Sequence, residues 1–250
     1  MRNWADLDLV AEMVANLRRE KPLIPSNSID VVISNCVLNL VSPELKKRLF
    51  TEIHRVLKPG GRAVISDIVS DQEVPEHLKA DAKLWSGCYS GAMVESEFVD
   101  AFAEAGLYGI EILQRGDAPY HVMEGVELRT MTLVAYKGKE GPCWERKQAV
   151  VYKGPFKRVE DDDGHVFERG KRVAVCEKTL KILSREPYRA VFAPVEPNVP
   201  VPEHAVKPFA CSEAMQLRDP SETKARSHEG EGMAPTSVKK NAAACGPGCC

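Results

Sequence analysis

No apolar run in the 250 residues approaches the ~20 that a membrane-spanning helix needs. The first residues, MRNWADLDLVAEM, carry acids where a secretion signal would have a hydrophobic stretch. A soluble, cytoplasmic chain with no membrane partner is the expectation. Charge of neither sign dominates: 34 Lys and Arg against 36 Asp and Glu leave −2, which is no footprint for nucleic acid. No internal repeat occurs, and no pair of cysteines has the CxxC spacing of a zinc ribbon or finger. Cysteine itself is plentiful. Eight of them in a chain without signs of secretion point to metal or metalloid binding, or to catalysis, before disulfides. An apolar fraction of 44% excludes a wholly disordered chain.

The apolar pattern organises the chain. Trp4, Leu7, Val10, Val14 and Leu17 recur at helical spacing over residues 3–21, and Pro22 and Pro25 end that helix. Val31-Val32-Ile33 is a β-branched run suited to a buried parallel strand. Ser42-Pro43 supplies a cap and first-turn proline for a helix whose stripe is Leu45, Leu49, Ile53 and Val56. Pro59-Gly60-Gly61 breaks it, and Arg62–Asp67 follows as a second buried strand, completing a right-handed crossover unit. A helix around 75–86, a loop over 86–92 and a helix over 95–105 ended by Gly106 come next. Strands are expected at Tyr108–Leu113 and Thr130–Tyr136. Residues 138–147 have linker character.

Beyond the linker, four short strands at Ala149–Tyr152, Phe156–Glu160, His165–Glu168 and Lys171–Val175 are joined by tight turns, and a short helix covers 177–185. From about 194 the chain is proline-rich, and from about 218 it has the polar composition of disorder. The expected domains are therefore 1–137, a linker at 138–147, a small β-rich domain at 148–193, and a tail at 194–250.

Residues 50–69, FTEIHRVLKPGGRAVISDIV, resemble what class I methyltransferases carry from the fourth-strand helix into the fifth strand. The preceding IDVVISNCVLNLVSPELKKRLF, with its SNCV-x-NL, is similar to the arsenite methyltransferase pattern. LWSGCYSGA at 84–92 matches that family's second cysteine loop, and AVVYKGPFKRVEDDDGHVFERGKRVAVCEKT resembles its C-terminal domain. The likeness covers roughly residues 22–192 in the family's order. It implies an α/β fold: an incomplete Rossmann-like class I methyltransferase sheet, a small β-rich domain and a disordered, cysteine-containing tail. It also implies an enzyme that moves a methyl group from S-adenosylmethionine to trivalent arsenic.

Arsenite exchanges hydroxyls for thiolates, soft ligands for a soft centre. By the resemblance Cys36 and Cys88 are the arsenic ligands and the catalytic residues. Two sulfurs would fix the arsenic so that its lone pair meets the methyl carbon in line. Such positioning is worth roughly 7–11 kcal/mol, and no general base is needed. Cys36 follows a parallel strand's C-terminal end, where open α/β sheets place ligands. Asn35 and Ser34 beside it are the candidates for cofactor contact. Arsenite or its thiol conjugates, and a small thiol reductant, are the implied partners.

The family's D-x-G-x-G-x-G turn, the acid closing its second strand, and its more N-terminal metalloid cysteine are not among these residues. Glycines let backbone approach a cofactor and the acid accepts ribose hydroxyls. The 250 residues alone are therefore expected to bind S-adenosylmethionine weakly or not at all, and a separate chain that supplies the loop is a further candidate partner. Two other functions stay open: a non-catalytic thiol protein that binds arsenite or another soft metal, and a methyltransferase acting on carbon or oxygen of a small metabolite.

Cys245-Gly-Pro-Gly-Cys249-Cys250 places three thiols among turn formers, a candidate mobile site for arsenite, zinc or copper(I). Cys176 in VAVC reads as core. Cys143 beside Pro142 reads as an exposed linker residue, and Cys211 has no partner by spacing. Asp161–Asp163 reads as an acidic turn closed by Gly164. Trp85 is expected to pack the cysteine loop, and His121 could stand near its mouth.

Overall fold

The computed structural model describes residues 9–10, 12–14, 16–17, 20–211 and 215–223. The described residues between 9 and 20 are helical, but Val10, Val14 and Leu17 are exposed there, so the expected apolar stripe has no cover within the described chain. Trp4 and Leu7 lie outside the described residues. Among those residues no helix is long and apolar enough to cross a membrane.

The crossover unit forms in the expected order, but its first strand is not the buried one expected: it is an edge strand, with Val31 38% and Ile33 75% exposed. Strand β1 (Ile29–Asn35) runs parallel to β2 (Leu57–Ser70), and helix α1 (Pro43–Val56) connects them. On α1 the buried face is Phe50, Ile53 and Val56, while Leu45 faces solvent. Gly60 and Gly61 do not interrupt the strand. Strand β2 starts at Leu57 and takes up a register shift against β1 between Ile29 and Val31. Gly60 adopts φ +84°, which only glycine enters at little cost, and its N–H donates to the Lys137 carbonyl at 2.6 Å.

The region 75–86 is two helices rather than one: α2 (Glu76–Lys79) and α3 (Ala82–Ser86). Asp81 is the reason. Its carboxylate accepts hydrogen bonds from the N–H groups of Lys83 and Leu84 at 2.7 and 3.1 Å, capping a new helix start. A two-residue strand β3 (Met93–Val94) then lies beside β2, and α4 (Glu95–Glu104) follows, released by Gly106 at φ +85°. Three further strands, β4 (Tyr108–Arg115), β5 (His121–Met123) and β6 (Val126–Tyr136), complete the sheet. Its path is β1-β2-β6-β4, with β3 on β2 and β5 on β6. Strand β6 is antiparallel to β2 and β4. The hairpin β5–β6 turns at Glu124-Gly125, a signal the alternation of Met131, Leu133 and Ala135 did not carry.

One face of this sheet buries Phe50, Phe98 and Phe102 together with Ile65, Met131 and Leu133. The rings of Phe50 and Phe102 meet edge-on at 5.0 Å, and those of Phe98 and Phe102 at 5.6 Å. Lys137 pins the sheet to the end of α1. It is buried, and its Nζ donates to the carbonyls of His54 and Arg55 and to Asn27 Oδ1. These are orphan acceptors at a helix C-terminus, which a cation satisfies.

The second core gathers Val150, Tyr152, Phe167, Val173, Leu180 and Phe192. Here β8 (Ala149–Tyr152) is flanked by β11 (Arg172–Ala174) and β12 (Phe192–Val195), all antiparallel, while β9 (Arg158–Glu160) and β10 (Val166–Glu168) form a hairpin. Helix α5 (Glu177–Leu183) covers this core. Two segments differ from their sequence reading. The linker contributes β7 (Trp144–Glu145), which pairs with β13 (Lys207–Pro208) inside the proline-rich stretch. Residues 215–223 also join the small domain. The Arg218 N–H donates to the Arg172 carbonyl at 2.9 Å, and its Nη2 stands 2.8 Å from both carboxylate oxygens of Glu145. Helix α6 (Pro220–Thr223) closes that contact. Backbone pairing and this ion pair thus hold a segment whose composition alone read as disorder.

Candidate functional site

Cys36 and Cys88 come together. Strand β1 ends at Asn35, and the Cys36 N–H still donates to the Ser66 carbonyl of β2 at 2.9 Å. At Cys36 the chain turns into a left-handed conformation, φ +53°, and rises into a single 3-10 turn, Leu38–Leu40. Cys88 lies across from it in the loop after α3, also left-handed at φ +64°. Its Sγ–H points to the Cys36 carbonyl at 3.3 Å. Non-glycine residues rarely adopt this region, and where two do so side by side the surrounding structure must enforce it.

Three side chains enforce it. Asn39, fully buried, donates from Nδ2 to the Ile68 carbonyl at 2.6 Å and to the Cys88 carbonyl at 3.1 Å. Buried Asp67 accepts the Leu38 N–H at 2.9 Å on one oxygen and the Ile68 N–H at 2.9 Å on the other. Lys46, buried on α1, donates to the Gly91 carbonyl. Gly91 must be glycine, because a Cβ there would stand 1.9 Å from the Asn39 carbonyl oxygen. The two loops are therefore stacked backbone on backbone. Asn39, Asp67, Lys46 and Gly91 were not singled out from the sequence. The one available sign was a lone Asn inside the apolar run VLNLV.

The pair is not electrostatically activated. Burial, then the Asp67 carboxylate, pushes the Cys36 thiol above its usual range, and the same two causes together with Cys36 itself push Cys88 up. Asp67 in turn has its carboxyl raised by burial, against the pull of its backbone donors and Lys46. Both sulfurs are thus protonated at neutral pH. Exchange of a thiol for a hydroxyl on trivalent arsenic releases water and asks for no prior deprotonation. Cys36 is exposed and Cys88 is nearly covered, so the pair is open on the Cys36 side.

Tyr89 stacks on His121 at 5.2 Å and approaches Tyr120 at 6.2 Å, which sets an aromatic group beside the pair. Trp85 lines a separate cleft of about 540 Å³ between α1 and α4, which includes neither cysteine. Ser34 is half-buried and Asn35 exposed at the end of β1. Cys245, Cys249 and Cys250 lie outside the described residues.

Comparison with known proteins bears on the same segments. A family model described as a methyltransferase domain matches residues 11–116, and one described as a domain of unknown function (DUF8838) matches residues 139–228. Among named relatives, the arsenite methyltransferase of Mus musculus is 32% identical over 195 residues, covering 72% of this chain and 50% of the relative. That of Aquipseudomonas alcaligenes is 29% identical over 174 residues, covering 64% and 49%.

The chain is similar to arsenite methyltransferases. It spans about half the length of the relatives it matches. The arsenic(III) S-adenosylmethionine methyltransferase of Chlamydomonas reinhardtii, CrArsM, superposes with a TM-score of 0.43 at 24% identity, over 77% of this chain and 66% of that one, too loosely to carry weight. The sheet is a Rossmann-like class I methyltransferase sheet with an added β-rich region.

The fold also brings three other cysteines together. Cys143, Cys176 and Cys211 have their sulfurs all within 4.8 Å of one another. The reading of Cys143 as a linker residue and of Cys211 as unpartnered is corrected by the β7–β13 pairing, which carries the two thiols to the N-terminus of α5.

Proposed function

We propose that the protein transfers a methyl group from S-adenosylmethionine to trivalent arsenic held by Cys36 and Cys88. The observation that carries this is the Cys88 sulfur lying 3.3 Å from the Cys36 carbonyl, with both residues held in left-handed backbone, Cys36 after β1 and Cys88 after α3. Two neutral thiols each replace one hydroxyl of arsenite and release one water, leaving the arsenic trivalent and anchored by two sulfurs. The third position stays with hydroxide or with a small thiol, so thiol conjugates of arsenite are equally good substrates. A small thiol reductant keeps the adjacent sulfurs from pairing oxidatively. The Tyr89–His121 stack shields one flank from water.

Ser34 and Asn35 are the residues of this chain that would meet the cofactor, since polar side chains at a parallel strand's C-terminal end suit its hydroxyl and amino groups. When bound, S-adenosylmethionine supplies an electrophilic methyl on a sulfonium. The fit is partial. Among the described residues β1 is an edge strand, with Ile33 75% exposed and Val31 38%, so this chain builds one wall of a cleft. A separate chain that pairs there and supplies the glycine turn is the partner such an edge would take. The exposed edge also favours a second reading, a protein that holds arsenite without methylating it.

Incubation with arsenite, a thiol and S-adenosylmethionine, followed by speciation of arsenic, tests the first reading. Methylated product that disappears in both Cys36→Ser and Cys88→Ser supports it. Calorimetry with S-adenosylmethionine separates the second: arsenite bound through the pair, with no cofactor heat, leaves a binder. An arsenic stoichiometry unchanged by Cys36→Ser and Cys88→Ser sinks both.

A further inference from the structure

The small domain holds a cluster that the methyl-transfer reading does not use. Cys143 precedes β7, Cys176 caps α5 and Cys211 follows β13, so three separate segments deliver one thiol each. Each is held by its backbone. The Phe209 N–H donates to the Cys143 carbonyl at 2.8 Å, and the Cys211 N–H to the Phe209 carbonyl at 3.1 Å. The Thr179 N–H donates to the Cys176 sulfur at 3.3 Å, and Thr179 Oγ1 lies 3.2 Å from the same sulfur. Lys178 reaches across to the Gly141 carbonyl at 3.2 Å, tying α5 to the segment that carries Cys143.

Sulfurs bound to one ion at roughly 2.3 Å, the zinc–thiolate length, stand about 3.5–4 Å apart, so a cluster within 4.8 Å needs only a small contraction. Cys176 is fully buried, while Cys143 and Cys211 line a cleft of about 560 Å³ with Lys139, Lys178 and His165. Among the described residues the cluster has three ligands and no fourth. A structural zinc site takes four.

We infer that Cys143, Cys176 and Cys211 form a second thiophilic site, which binds trivalent arsenic through three sulfurs. Three-coordination with a lone pair on the open side suits arsenic(III), and soft sulfur suits a soft centre. The reaction is balanced without redox chemistry: three thiols give their protons to three departing hydroxyls, three waters leave, and arsenic remains trivalent. The choice of arsenic over other thiophiles rests on the proposed function.

The test uses the full chain carrying Cys36→Ser, Cys88→Ser, Cys245→Ser, Cys249→Ser and Cys250→Ser, which leaves these three thiols alone. Equilibration with arsenite and native mass spectrometry should show one arsenic per chain, with the mass of arsenic less three hydrogens and no thiol left to titrate. Adding Cys211→Ser or Cys143→Ser should weaken retention by about 100-fold, as a chelate loses an arm. If Cys176→Ser unfolds the domain, those two variants still decide. No bound arsenic, arsenic that leaves a thiol free, or preloaded zinc that arsenite fails to displace would overturn the inference. In the wild-type chain, failure of this site removes only arsenic that survives Cys36→Ser and Cys88→Ser. Failure of the proposed function leaves that arsenic and removes the methylated product.

Discussion

The two thiol clusters of this molecule are built alike but lie beside charges of opposite sign. Both arise where short segments meet at the ends of strands and helices and are clamped there by hydrogen bonds to the backbone. Burial raises both thiols of the pair, and the buried Asp67 carboxylate beside them adds to it. In the trio, hydrogen bonds from Cys211 and Cys176, and after them the nearby Lys178, outweigh burial and lower Cys143, while Cys211 is raised. Neighbouring charge therefore differs between the two clusters, as does the number of sulfurs.

The largest expected effect strikes the pair and spares the trio. Gly91→Ala drives a Cβ into the Asn39 carbonyl at 1.9 Å and should cost about 3 kcal/mol in urea unfolding, as overpacking against rigid backbone does. It should also abolish arsenite retention at Cys36 and Cys88 while leaving arsenic on the trio. Next, Asn39→Ala orphans the Ile68 and Cys88 carbonyls and should cost about 2 kcal/mol. An equal loss of arsenic at both clusters in either variant would break the comparison.

On the trio's side, Asp161 and His165 wall the cleft and pair at 2.8 Å. The Asp161 hydrogen bond, against burial, raises His165. Burial would raise Asp161, but its bonds to His165 outweigh this and lower it. Stabilisation from the lowered acid is present above its unfolded value, near pH 4, and is lost as pH falls through its folded one. That from the raised imidazole is complete below about pH 6.5 and is lost as pH rises through its folded value. Asp161→Asn should therefore cost about 1.5 kcal/mol near pH 5–6 and less at pH 8, read as the shift in unfolding midpoint. A cost that grows toward pH 8 would contradict the pairing.

Smallest in energy but sharpest in sign are two charge changes. Asp67→Asn should speed alkylation of Cys36 at pH 8 severalfold, and Lys178→Gln should slow that of Cys143. Were both to move in the same direction, the electrostatic division would fail.

How much of this was legible follows the range of the contacts. The crossover unit could be read because Val31–Ile33, Ser42-Pro43 and Pro59-Gly60-Gly61 are local signals, and local patterns dictate a strand, a cap and a turn. The split between α2 and α3 was missed because one Asp side chain outweighed a continuous helical composition. Cys36 and Cys88 were singled out by resemblance, yet the Asn39 clamp and the Gly91 contact depend on two loops meeting, which no periodicity encodes. The trio was hidden for the same reason. It rests on a two-residue strand pair in which one partner is Pro208, and proline-rich composition gives no alternation to read.

Left-handed backbone at Cys36 and Cys88 sets fold and chemistry against each other at single positions. Glycine or asparagine would sit there more comfortably than cysteine, so a saturation library sorted for expression should enrich those two residues at both sites. The same library sorted for captured arsenic should return cysteine alone. Positions where the two selections disagree are the ones that conformational thrift would have discarded, and their retention marks them as kept for sulfur.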